Sequence, residues 1–115
     1  MINRTHPYGD ILHEVVEHNG TLYLAGCVGE DTSADIAGQM RSIADQIDAL
    51  LAAHGSSKDR ILSATIYMTD LSMKPALNAV YKAWLGSAHL PARAGIGVAD
   101  LGPGVLVEVM VIAAK

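Results

Sequence analysis

Val105-Leu106-Val107-Glu108-Val109-Met110-Val111-Ile112-Ala113-Ala114 closes the chain, and nine of these ten residues are apolar. In an extended strand both alternating faces would then be apolar, the pattern of a strand covered on both sides. Upstream, Ile11–His18 and Thr21–Val28 flank Asn19-Gly20, whose two residues suit the positive φ of a type I′ turn, so a hairpin is expected. Ile36, Met40, Ile43, Ile47, Leu50 and Leu51 recur at helical steps. They predict a helix over Ser33–His54, with Thr32 and Asp35 spaced as a capping box and Gly55 as its stop. Ile61–Thr69 alternates and is rich in β-branched residues, a third strand. A second helix begins at a Ser72 cap, tolerates Pro75 in its first turn and carries Leu77, Val80, Tyr81, Trp84 and Leu85 on one face before Gly86. Arg93–Ala99 and the closing segment complete the order ββαβαββ, an α+β fold with one mixed sheet and two helices on one face. Nothing in the chain is left to cover the other face of that sheet, so element counting predicts a homo-oligomer.

Composition points the same way. The chain has 115 residues, 50% hydrophobic but only 4% aromatic with no Phe, a length suited to one domain over 1–115. A mean hydropathy of +0.27 is too high for disorder, and no run reaches the roughly 18 apolar residues of a membrane helix. Eight Lys and Arg against twelve Asp and Glu leave a net charge of −4 without a basic cluster, which disfavours nucleic acid and anionic membrane as partners. Cys27 is the only cysteine, so an internal disulfide and a cysteine-built zinc site are excluded, and the start MINRTHPYG lacks the apolar core of a signal peptide. The expected compartment is the cytoplasm.

Several apparent motifs fail on geometry. His13-Glu14-Val15-Val16-Glu17-His18 superficially suggests a zinc-protease helix, but that motif needs His at i and i+4, where this chain has Glu17. At five-residue spacing the imidazoles diverge, so no metal is expected. Gly95, Gly97, Gly102 and Gly104 do not form a dinucleotide loop, because Asp100 takes the place of the third glycine and no helix follows. Cys27 reads as a small buried hydrophobe rather than a nucleophile.

Two charges resist dismissal. Glu108 is the single ionisable residue of the closing strand, where a carboxylate is costly to desolvate unless it is paired or faces a cavity. Arg93, after Pro91-Ala92, stands among small residues that leave room around a guanidinium able to grip a carboxylate bidentately. On consecutive strands joined by a short turn, the two can border one pocket. A structural Arg–Glu ion pair at a subunit interface is the competing reading.

Pro91-Ala92-Arg93-Ala94, Ala99, Leu101 and Val107-Glu108 are similar, at matching spacing, to the C-terminal signature of the RidA/YjgF family of enamine/imine deaminases. His6-Pro7-Tyr8-Gly9 resembles the family's Gly-Pro-Tyr start, Leu24-Ala25-Gly26-Cys27 its Ser-Gly-Gln segment, and Leu77-Asn78-Ala79-Val80-Tyr81 its second helix. The resemblance implies a chorismate-mutase-like trimer with sites in clefts between subunits. It assigns Arg93 to the substrate carboxylate and Glu108 to the attacking water, and places Tyr8, Gly26, Asn78 and Gly95 around the substrate. The implied reaction hydrolyses a 2-imino or enamine acid to a 2-keto acid and ammonia, without metal or organic cofactor. Gly95 stands where the family usually carries a cysteine, Ala25 replaces a common serine, Cys27 a common glutamine and His6 a glycine. These departures describe a divergent branch with an altered pocket. Two other functions stand beside deamination: a small-carboxylate-binding protein without turnover, and a ribonuclease or translation-inhibitor activity.

Overall fold

The computed structural model describes residues 1–115. Its elements are β1 (Ile2–Tyr8), β2 (Leu12–His18), β3 (Thr21–Leu24), β4 (Cys27–Val28), α1 (Ile36–Ala53), β5 (Ile61–Met68), α2 (Lys74–Leu85), β6 (Ala92–Gly97) and β7 (Val107–Ala114). One mixed sheet runs β1-β2-β3-β7-β5-β6, with β4 pairing β7 beyond the end of β3. All pairs are antiparallel except β5–β6, which are parallel, with α2 as the crossover that such a pair requires. Asn19 and Gly20 both adopt positive φ, 52° and 74°, as the hairpin turn requires.

The first strand, β1, is absent from the sequence expectation. Ile2–Tyr8 is polar, contains Pro7 and is almost wholly exposed, so it carries no hydrophobic alternation. It is an edge strand defined by backbone pairing with β2, a position where proline is tolerated. Its middle is tied to the C-terminus of α1: Thr5 Oγ1 lies 2.8 Å from His54 Nε2, while His54 Nδ1 lies 2.8 Å from the Leu50 carbonyl. The expected strand Thr21–Val28 is broken at Ala25-Gly26, leaving the short β4.

Helix starts also differ. Asp35, not a Thr32–Asp35 box, caps α1 by accepting from Gly38 N at 2.8 Å, and Ser33 instead closes a turn on Asp31. At the other end Ser56 N donates to Leu51 O and Gly55 N to Ala52 O, with Gly55 at φ +74°, so the predicted glycine stop is a Schellman ending. Before α2, the carboxylate of Asp70 accepts from Ser72 N at 2.9 Å, so Ser72 donates rather than caps, and the helix begins two residues later at Lys74.

Both helices lie on one sheet face. Met40, Ile43, Ile47 and Leu51 of α1 and Leu77 and Tyr81 of α2 are buried together with Leu22, Ile66, Met68, Val107, Val109 and Val111. Each such aliphatic side chain contributes about 1.5–3 kcal/mol when removed from water. The protomer is a slab of 41 × 37 × 20 Å, as expected for one sheet layer and one helix layer. On the face away from the helices, Tyr23, Ile96 and Met110 are 46%, 41% and 38% exposed. The second apolar face of β7 is therefore uncovered within the protomer.

Candidate functional site

The expectation that Arg93 and Glu108 border one pocket of the same chain is corrected by the strand order. β6 does not pair with β7, because β5 runs between them. Arg93 is opposite Ala64, and Ala64 opposite Val111; Glu108 is opposite Tyr67, and Tyr67 opposite Ile96. The two residues are thus two strands and three residues apart, roughly 14 Å between Cα atoms. They also point to opposite faces. Arg93 shares the side of buried Ala64 and reaches Tyr81 on α2, whereas Glu108 alternates with Val107 and Val109, which face the helices. The chain's only ion pair is Lys115–Glu17 at 3.0 Å, so neither residue is neutralised within the protomer.

Glu108 lines a cavity of about 380 Å³ together with Tyr8, Leu12, Glu14, Ala25, Gly26 and Cys27. The break in the hairpin strand creates this opening. Gly26 matters here for its missing side chain: a Cβ would overlap Glu108 Oε2 and stand 2.9 Å from Cδ. The carboxylate rests on the glycine backbone, half-buried and with no hydrogen bond from its own chain. Tyr8, Gly26 and Glu108 are thereby brought together, as the resemblance implies. His6, just before Pro7, has φ +54°, a left-handed conformation that glycine adopts without strain.

Cys27 sits in the same cavity. Burial first, and then the charges of Glu14, Glu108 and Glu30, push its pKa up to about 12 from an ordinary 9.0. The thiol is neutral at physiological pH and unsuited to nucleophilic work.

Arg93 lines a second cavity, of about 470 Å³, with Asn78, Tyr81, Lys82, Gly86, Ser87 and Leu90. Its guanidinium lies 4.5 Å above the centroid of the Tyr81 ring. Tyr81 is held in turn, edge-on to Trp84 at 6.3 Å, and Trp84 Nε1 donates to Asp48 Oδ1 at 2.9 Å. Burial raises the pKa of the Tyr81 hydroxyl, with Arg93 opposing that shift, so the ring stays neutral beneath the cation. Asn78 Oδ1 is buried without a hydrogen-bond partner, an acceptor that a donor on a ligand would satisfy. Gly95 lines neither cavity; it follows Arg93 on the same side of β6, opposite buried Ile66.

The sequence reading missed two supports. In sequence Tyr81 is simply part of an apolar helix face, although the same ring supports Arg93. Gln39, on the buried face of α1, is 1% exposed. Its Nε2 donates to the carbonyls of Ala34 and Gly104, and its Oε1 accepts from Leu106 N at 2.9 Å. This clamp fixes the loop that delivers β7, two residues before Glu108. A buried polar residue within an apolar helical stripe was the available signal. His13 and His18 alternate to opposite faces of β2, and no three His, Cys, Asp or Glu side chains gather as a metal-binding group. No helix is long and apolar enough to cross a membrane.

Comparison with known proteins places this geometry. The family model described as Endoribonuclease L-PSP matches residues 1–115. The chain is 39% identical over 101 residues, 88% of each chain, to the RutC family protein YoaB of Escherichia coli K12. A member of the YjgF protein family from Neisseria meningitidis superimposes with a TM-score of 0.94 at 32% identity, covering 100% of this chain and 95% of that one. A Rid family protein of unknown function from Yersinia pestis gives 0.88 at 30% identity, over 97% and 94%. In sequence along its whole length and in the order of its sheet, the chain belongs to the RidA/YjgF family, the one matched by the Endoribonuclease L-PSP model.

Proposed function

We propose that the protein hydrolyses 2-imino or enamine acids to 2-keto acids and ammonia, in clefts of a homotrimer where the Arg93 cavity of one subunit faces the Glu108 cavity of the next. One observation carries this reading: Arg93 and Glu108 are both unpaired, each in its own cavity, on opposite faces of one sheet. Neither cavity alone holds both an anion-binding group and a base. The uncovered apolar sheet face supplies the surface on which subunits would assemble.

The substrate carboxylate docks on Arg93, with Asn78 Oδ1 accepting from a substrate N–H. Glu108, as carboxylate, takes a proton from water as the water oxygen bonds to the imine carbon, and passes it to the imine nitrogen, giving the neutral carbinolamine. The carbinolamine then collapses: Glu108 takes the hydroxyl proton and delivers it to the amino nitrogen as the C–N bond breaks, so that ammonia and the 2-keto acid leave and Glu108 is again a carboxylate. Tyr8 and the Gly26 backbone wall the water side. Positioning together with one proton-transfer group is sufficient chemistry for a bond that water already hydrolyses, and no metal or organic cofactor takes part. Ribonuclease action would need a basic track and stacking aromatics, which a net charge of −4 and 4% aromatic content do not favour. Carboxylate binding without turnover is the outcome that would remove the catalytic assignment.

The test couples the protein to an amino-acid oxidase and follows 2-keto acid formation. Arg93→Ala and Glu108→Ala should each abolish the acceleration. Co-expressed in equal amounts, the two inactive variants should recover about a quarter of wild-type activity, since random assembly joins an intact Arg93 to an intact Glu108 in that share of shared sites. Absence of acceleration by the wild type refutes the reaction, and absence of complementation refutes the shared cleft.

A further inference from the structure

We infer that Gln46, together with Ser42, is a positioning residue for Glu108: it latches β4 to α1 and so sets the backbone on which the carboxylate rests. On the reading above, on which this inference rests, the latch governs the hydrolytic step and not the grip on the substrate carboxylate.

β4 is too short to hold itself in place. Cys27 and Val28 alone pair with β7 there, opposite Val109 and Glu108, where a typical strand runs about five or six residues. Its position nonetheless matters, because Gly26 immediately before it carries the Glu108 carboxylate, so closely that a Cβ would overlap Oε2. The residues that end β4 and follow it are held by α1 instead. Gln46 Nε2 donates to the Val28 carbonyl at 2.9 Å. A Cβ on Gly29 would stand 3.0 Å from the Gln39 Cα, so the bare glycine lets the chain lie directly on the helix. Glu30 N donates to Ser42 Oγ at 3.0 Å.

Gln39, Ser42 and Gln46 recur at three- and four-residue steps and so share one side of α1. The two polar anchors are also joined to each other: Gln46 Nε2 donates to Ser42 Oγ at 3.1 Å, so the hydroxyl accepts from both Gln46 and Glu30 and both its lone pairs are used. A carbonyl can only accept, which fixes the Gln46 amide with its nitrogen toward Val28. Gln46 is half-buried and lines the Glu108 cavity, and it has no part in the Arg93 cavity. Loss of the latch would release Val28–Glu30 and with them Gly26, shifting the carboxylate relative to its water. Arg93 would stay where the Tyr81 ring places it. A displaced proton-transfer group costs rate and leaves substrate affinity intact.

Gln46→Met keeps the length of the side chain and removes the donor, and it is compared in the full-length protein with Ser42→Ala and Ser42→Thr. With an amino-acid oxidase supplying the imine, kcat of Gln46→Met should fall about ten-fold at unchanged KM. Ser42→Ala should show the same split more weakly, and Ser42→Thr, which retains the hydroxyl, should stay near wild type. A second readout needs no turnover: the NMR signal of the Glu108 carboxyl carbon, assigned by its absence in Glu108→Gln. It should move in Gln46→Met, while that of Glu17, paired with Lys115, stays. If Gln46→Met does not fold, Ser42→Ala decides by the same two readouts. An unmoved Glu108 signal, or a moved signal with unchanged kcat, overturns the positioning role. A moved signal in a protein that hydrolyses no imine supports the latch and refutes deamination; turnover with an unmoved signal does the reverse.

Discussion

The guanidinium of Arg93 is stacked on the ring of Tyr81, 4.5 Å from its centroid, so the cation on the edge strand β6 is oriented by the buried face of α2. An arginine on an exposed edge strand would otherwise sample many rotamers. The aromatic face restricts them and leaves the N–H fork free for a carboxylate.

Replacing Tyr81 by Leu should therefore raise KM for carboxylate substrates by about five-fold, in line with a cation–π contact of about 1 kcal/mol, with little change in kcat. Tyr81→Phe keeps the ring and should stay near wild type. Steady-state kinetics of the two variants checks this; equal KM values for Leu and Phe would show that the stacking positions nothing.

Gly26→Ala should displace the Glu108 carboxylate, because the added methyl occupies the place of Oε2. Turnover should fall about 100-fold, within the range for losing a positioned proton-transfer group, while the melting temperature stays close to wild type since Gly26 is exposed. In a Glu108→Ala background the same substitution should cost no further activity. Additive losses would assign Gly26 a role of its own.

Gln39→Leu should destabilise the fold. The carbonyl of Gly104 and the N–H of Leu106 lose their partner, at about 3 kcal/mol for the two. Thermal unfolding should drop by roughly 10 °C, and the ligand-free protein is sufficient to measure it.

Cys27 should resist alkylation at pH 8, since a pKa of about 12 leaves about one thiol in ten thousand ionised. Cys27→Ser should retain turnover. The raised pKa also gives a signed stability effect. Below pH 9 the thiol is protonated in folded and unfolded chains alike, but between pH 9 and about 12 only the unfolded chain releases the proton. Stability contributed by the neutral thiol is thus lost as pH rises through this window. Denaturant titrations should show a steeper alkaline loss for wild type than for Cys27→Ser.

Local pattern determined much of this protein. Asn19-Gly20, the stripe from Ile36 to Leu51 and the alternation of Ile61–Met68 specify their own turn, helix and strand, because each depends on contacts a few residues apart. The doubly apolar closing strand announced an uncovered face, and Glu108 stood out because charge within an apolar strand is costly. β1 was not legible, since an exposed edge strand is defined by its partner's backbone and not by its own side chains. Nor was the relation between Arg93 and Glu108. Their nearness in sequence suggested one pocket, but a parallel β5–β6 pair places β5 between their strands, and strand register sends the two side chains to opposite faces. Pairing partner and register are set by hydrogen bonds between distant segments. Only the tertiary structure decided that Arg93 and Glu108 line separate cavities of the one chain.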